Sequence, residues 1–182
     1  VSTTEITAIW DKGKGALIET TTKATESGEP LFELVMSAFI RGEGGWGGER
    51  GPSGTRNNAP DRSPDSSTVV ETRPEQALIY RLTGDRNPLH SDPTFAAMAG
   101  FDRPILHGLC TYGFAGRVLL HELCDSDPAK FRSIDGRFAS PVFPGESLTV
   151  NTWRQGADEA VFKVLGQDGR VVIDAGLIGF TS

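Results

Sequence analysis

Cysteine is scarce: Cys110 and Cys124 are the only two in 182 residues. Two thiols cannot build a disulfide framework or a four-cysteine zinc site, so a reducing compartment is the default. Long apolar runs are missing as well. None approaches the ~20 residues that a membrane-crossing helix needs. The first residues show no basic stretch leading into an apolar core, and the final Gly-Phe-Thr-Ser is not a Ser-Lys-Leu peroxisomal address. The expectation is a soluble, cytoplasmic protein. Positive charge is in deficit, with Lys+Arg 18 against Asp+Glu 24 and a net charge of -6. That balance excludes a general grip on nucleic-acid phosphates, yet a few local cations could still hold a small anion. No G-x-S-x-G is present, which removes the serine hydrolase elbow. With 37% hydrophobic and 23% charged residues, the chain can still bury a packed core.

The first stretch reads as β throughout. Ile6–Trp10, Ala16–Thr25 and Leu31–Arg41 are strand candidates, joined by turns at Asp11–Gly15 and Glu26–Glu29. Alternation puts Phe32, Leu34, Met36, Ala38 and Ile40 on one face of the third strand. No helix nearby could cover that face, and a lone meander is marginal in water. The chain thus reads as starting partway through a domain, with another chain or a missing front as the cover. Residues 42–66 are rich in Gly, Pro, Ser, Asn, Asp and Arg and read as a loop and linker.

After a short strand near Thr68–Glu71, Thr72 and Glu75 suggest a capping box opening a helix over Gln76–Leu82, stopped by Gly84. Asp92-Pro93 opens a second short helix, Thr94–Ala99, ended by Gly100. A longer helix runs from His107-Gly108 to about Leu123, with Gly113, Ala115 and Gly116 allowing close packing. Strand candidates follow at Phe131–Ser140, Glu146–Gln155, Glu159–Gly166 and Arg170–Phe180, with a hairpin turn at Gln167-Asp168-Gly169. This order fits an α+β domain in which an antiparallel sheet wraps a long helix.

Gly42-Glu43-Gly44-Gly45-Trp46-Gly47 matches G-x-G-x-x-G, but the glycines and Pro52 that follow allow no helix to meet a pyrophosphate. A flexible loop, lying over a ligand, fits it better. His90 ends Leu82-Thr83-Gly84-Asp85-Arg86-Asn87-Pro88-Leu89-His90, a turn stiffened by glycine and proline. Asp85, Asn87 and His90 there could grip one water, or could equally be a helix cap and a structural histidine. A metal site at His90 and Asp92 lacks further ligands nearby. Gly108 at the helix start could leave amides free for a developing oxyanion, or could merely ease packing. His107 and His121 read as structural or exposed, and Cys110 as core.

The run Tyr80–His90 resembles the signature of the R-specific enoyl-CoA hydratases, the hydratase 2 or MaoC-like family of hot-dog fold. The likeness extends through Ala99–Cys110 and Arg137–Gly145. Asp11-Lys12-Gly13 and Arg41–Gly48 resemble the end of the first half of two-domain members. The resemblance implies an incomplete N-terminal hot-dog at 1–48, a linker at 49–66 and a complete catalytic hot-dog at 67–182. It implies that Asp85 and His90 activate water, that Asn87 orients them and that the Gly108 amide takes the thioester oxygen. Lys12 and Phe138 would contact coenzyme A. Arg86, Pro88 and Leu89, in the turn, would meet the acyl thioester.

The implied reaction is reversible hydration of trans-2-enoyl-CoA to (3R)-hydroxyacyl-CoA, with no metal or organic cofactor. Alternatives are a (3R)-hydroxyacyl-thioester dehydratase of fatty-acid, polyketide or sterol side-chain metabolism, and a non-catalytic acyl-CoA-binding half of a complex. A homodimer, or a companion chain or fragment completing the first hot-dog, is the expected partner.

Overall fold

The computed structural model describes residues 1–52 and 57–181. It divides into two compact units, Val1–Thr55 and Arg56–Ser182. The first is an antiparallel meander of β1 (Ser2–Asp11), β2 (Gly15–Glu26) and β3 (Glu29–Arg41), in that order across the sheet. The β-branched run in β2 suits a pleated strand. Gly13 and Gly28 take the left-handed conformations that the two tight turns demand. β3 is exposed along its whole length, including Phe32, Leu34 and Met36.

The glycine-rich segment after β3 is pinned rather than flexible. The buried Asp11 carboxylate accepts hydrogen bonds from the backbone amides of Gly13 (2.8 Å), Gly45 (2.7 Å) and Gly47 (2.8 Å). The amides of Gly45 and Gly13, followed by that of Gly47, hold the Asp11 carboxyl below its ordinary value. A lowered carboxyl stabilises the fold above the unfolded value near ~3.9, and the contribution is lost as pH falls through the native one. In Asp11→Asn, we expect limited proteolysis at neutral pH to cut the segment 42–52 faster than in the parent.

The second unit holds β4 (Ser66–Glu71), α1 (Gln76–Tyr80), α2 (Pro93–Met98), α3 (Gly108–Leu123), β5 (Phe131–Phe138), β6 (Ser147–Arg154), β7 (Glu159–Gly166) and β8 (Val171–Phe180). Its five strands pair antiparallel in the order β4-β6-β7-β8-β5. Period-two alternation sends Leu148, Val150, Ala160, Phe162, Val164 and Ile178 into one buried cluster. The α3 residues Ala115, Val118, Leu119 and Leu123 join that cluster. The result is the hot-dog architecture, a long helix on one antiparallel sheet. Glu122 of α3 accepts from the hydroxyls of Ser66 (2.6 Å), Thr68 and Thr152 (3.4 Å), tying the helix to β4 and β6.

Several local expectations need correction. Thr72 does not cap α1: Glu75 holds the N-cap position with no side-chain hydrogen bond. The Thr72 hydroxyl instead donates to the Glu146 carbonyl (2.8 Å) and accepts from the Gly145 amide (3.0 Å). A buried hydroxyl takes whichever partners tertiary contact supplies, and these are distant in sequence. α1 ends at Tyr80 and tightens into a 3₁₀ turn, Arg81–Thr83. Strand β4 begins at Ser66, two residues earlier than expected. A Cβ added at Gly113 would meet nothing within 4 Å, so close packing is not its role. At Gly116 the nearest atom would be Ile134 Cδ1 at 3.9 Å, an ordinary contact.

β8 carries one residue more than either neighbour between Ile173 and Gly176, where β7 pairs Val164 with Ile173 and Phe162 with Gly176. Ala175 takes up that bulge at φ 52°, a left-handed conformation that disfavours side chains. We expect Ala175→Gly to raise the unfolding free energy by about 0.5 kcal/mol, after the entropy cost of glycine is set against the relieved strain. Urea denaturation of the two proteins checks it.

Candidate active site

The turn between α1 and α2 is built by its own residues. Gly84, at φ 123°, ends the 3₁₀ turn and redirects the chain. The Asp85 carboxylate accepts from the Asn87 amide at 3.1 Å, and the Asn87 side-chain oxygen accepts from the Leu89 amide at 3.0 Å. Pro88 then opens a 3₁₀ turn, Pro88–His90, at the position where a missing N–H costs nothing. These contacts leave Asp85 exposed and His90 half-buried.

His90 Nδ1 lies 2.8 Å from the Ile105 carbonyl. A carbonyl only accepts, so Nδ1 bears the proton and Nε2 of the neutral ring keeps its lone pair. His107 proves to be part of the same site. It is only 1% exposed, and its ring stacks on His90 with centroids 3.8 Å apart and planes at 28°. Tyr80 tilts against its other neighbourhood, with centroids 4.7 Å apart. The Nε2 of His107 donates to the Asp85 carbonyl at 3.2 Å, and its buried Nδ1 has no hydrogen-bond partner among the described residues. Burial, with the nearby His90 adding, lowers the His107 pKa. Donor atoms of Asp85, His90 and His107 all lie within 4.8 Å of one another, the one such trio found among the described residues. Each of the three offers one donor atom to this group, so they could also hold a metal ion.

His90 and Gly108 line one cavity of about 300 Å³ with Phe101, Ile105, Phe138 and Val142. A second cavity of about 250 Å³ also reaches His90, beside Leu78, Arg103 and Pro144. Gly108 is the first residue of the 16-residue α3, and no acceptor takes its amide among the described residues. A Cβ there would come within 3.2 Å of the Phe138 ring, so glycine permits the close approach. The amide and the helix dipole together suit a developing negative oxygen.

The other expected positions fall as follows. Phe138 is exposed beside Gly108 and lines the first cavity. Arg86 and Pro88 are exposed and Leu89 half-buried, all on the Asp85–His90 turn. Lys12 belongs to the first unit, where its ammonium donates to the carbonyls of Arg50 and Pro52 (3.1 Å). Cys110 is buried and desolvation pushes its thiol up to about 11, as expected of a core residue. Sequence reasoning missed the place of His107 in the site. Its only signal was a histidine next to the glycine that opens a helix.

An antiparallel sheet on a long helix, with His90 and the glycine that starts that helix lining one cavity, defines a hot-dog domain. The chain belongs to the MaoC-like domain family, which it matches over residues 55–175. It is 54% identical over 154 residues to Enoyl-CoA hydratase ChsH3 of Mycobacterium tuberculosis, covering 84% of this chain and 54% of that protein. It is 48% identical over 189 residues to 3-hydroxyacyl-thioester dehydratase Y of the same organism, covering 98% and 65%. The crystal structure of a MaoC-like dehydratase from Phytophthora capsici superposes with a TM-score of 0.88 at 40% identity, over 100% of this chain and 62% of that one. The chain therefore spans between about half and two thirds of these proteins.

Proposed function

We propose that this chain catalyses the reversible addition of water to a trans-2-enoyl-CoA, giving a (3R)-hydroxyacyl-CoA. The observation that carries the reading is that a carboxylate oxygen of Asp85 and a ring nitrogen of His90 come within 4.8 Å of each other, while His90 lines one apolar cavity with Gly108, whose amide no described residue takes. A water held between Asp85 and His90 gives up a proton to that pair as its oxygen bonds to the β carbon. Electrons pass to the thioester oxygen, where the Gly108 amide and the α3 dipole stabilise the charge. The pair returns a proton to the α carbon, so oxygen and hydrogen add from the side on which both groups stand. Acid–base groups and an oxyanion donor suffice for these steps, so the reading calls on no metal or organic cofactor. Asn87 serves the pair by fixing the turn. Phe138 contacts the coenzyme A part, and the turn residues Arg86, Pro88 and Leu89 border the acyl thioester.

The same groups run backwards as a dehydratase, a reading favoured by the relative named 3-hydroxyacyl-thioester dehydratase Y. The test is the decay of enoyl absorbance when the chain meets crotonyl-CoA and a longer enoyl-CoA. Turnover supports the proposal, and no turnover with either counts against it.

The apolar side chains exposed on β3 support a partner. In this reading, residues 1–48 are strands of a hot-dog that a second copy or a companion polypeptide completes. Gel filtration and mass spectrometry of active material would contradict that if they showed this chain alone as a monomer. The two free, buried cysteines suit cytoplasmic residence, and no helix among the described residues is long and apolar enough to cross a membrane. Relatives named as peroxisomal make organelle imaging the deciding observation.

A further inference from the structure

Two imidazoles cross-link the segments that carry the reacting groups. His90, on the turn after α1, reaches Ile105 in the segment before α3. His107, at the end of that segment, reaches back to the Asp85 carbonyl on the turn. The rings stack between these two hydrogen bonds. Neither bond can move without dragging the other ring. We propose that His107 is a positioning residue, which sets the ring plane of His90 by stacking and holds Asp85 in place through its main-chain carbonyl. This inference rests on the hydratase reading of the site for its kinetic consequence, but not for its geometry.

The chemistry requires more of His107 than filling space. His90 becomes an imidazolium when it takes the proton from water. A charged ring stacked at 3.8 Å would oppose that step, whereas a neutral one offers its π face. The groups facing His107 are His90, the Asp85 backbone and carboxylate, the Tyr80 ring and Arg81. Nε2 is committed to a carbonyl, so the tautomer is set as well. The buried Nδ1 is the cost of this arrangement: an acceptor left without a donor among the described residues, where hydrogen bonding normally prevails.

The test separates the two holds. His107→Phe keeps a ring to stack and loses the donor. His107→Gln keeps a donor and loses the ring. His107→Ala loses both. On the full chain with crotonyl-CoA, the Ala variant is expected to lower kcat by about 10- to 100-fold while KM changes by less than about threefold. The pH at which kcat falls should move, and Phe and Gln should each recover part of the loss. In parallel, NMR titration of the His90 ring needs no turnover. Its midpoint should move in the Phe variant, which is the one closest in shape to the parent. An unchanged His90 midpoint in a folded Phe variant would overturn the proposal. So would a kcat loss in the Ala variant that only follows the fraction unfolded by circular dichroism. If the parent shows no turnover but the His90 midpoint still moves, the hydratase reading fails and the positioning role stands.

Discussion

Asp85→Asn and His90→Gln should each lower kcat on crotonyl-CoA by about 10³-fold, with folding intact. Asp85→Asn removes proton traffic and little else, whereas His90→Gln also removes the Nδ1 bond to the Ile105 carbonyl and the ring stacked on His107. The asparagine oxygen can still accept from the Asn87 amide as the carboxylate does at 3.1 Å, so the turn survives. Neither side chain belongs to the buried core, since Asp85 is exposed and His90 half-buried. KM should stay near that of the parent, because the cavity walls at Phe101, Ile105 and Val142 are untouched. The double variant should lose scarcely more than either single one, since two groups that share one water act as a unit. Steady-state kinetics, with circular dichroism as the folding control, measures all of this. A double variant whose losses simply multiplied would speak against a shared water.

Arg170→Ala is expected to cost about 2–3 kcal/mol of stability and to raise KM as well. The guanidinium sits behind the cavity wall rather than in it. Its Nε and Nη2 donate to the Pro141 carbonyl at 3.2 and 2.9 Å. It pairs with the buried Glu146 and, at 2.7 Å, with Asp168. Burial works against its charge, and Glu146 and Asp168 more than offset that. Val142, the next residue, accepts from the Leu106 amide at 2.7 Å, one step before His107 and Gly108. The arginine thus supports both the wall of the cavity and the segment that leads into α3. Removing it strands the Glu146 carboxylate, which is the expensive half of breaking a buried pair. A quarter of the Arg170 side chain is exposed, which keeps the figure at the low end. Arg170→Lys should recover the charge but not the two-pronged grip on Pro141. Urea denaturation gives the stability change, and the KM of the folded fraction gives the rest.

Much of this arrangement is local chemistry and was legible in the chain. Gly84 and Pro88 announce the turn, and Asp92-Pro93 caps α2 with side-chain bonds to the Thr94 and Phe95 amides, as expected. The hot-dog strands follow from period-two alternation, and α3 from its glycine start and apolar spacing. What escaped was set by partners far along the chain. Thr72 looked like a cap because the competing Gly145 and Glu146 lie more than 70 residues away. The glycine-rich segment looked loose because the carboxylate that gathers it lies on the other side of two strands, at Asp11. His107 looked incidental because a stack between residues 90 and 107 has no sequence period. Ala175 carries a left-handed bulge with a residue type that gives no hint of one.

The most direct test of the whole account is the configuration of the product. Incubated with crotonyl-CoA in water, the chain should yield 3-hydroxybutyryl-CoA of the 3R configuration alone, as read by chiral chromatography of the released acid. A 3S or racemic product, or the same 3R product from the Asp85→Asn, His90→Gln double variant at an undiminished rate, would contradict it.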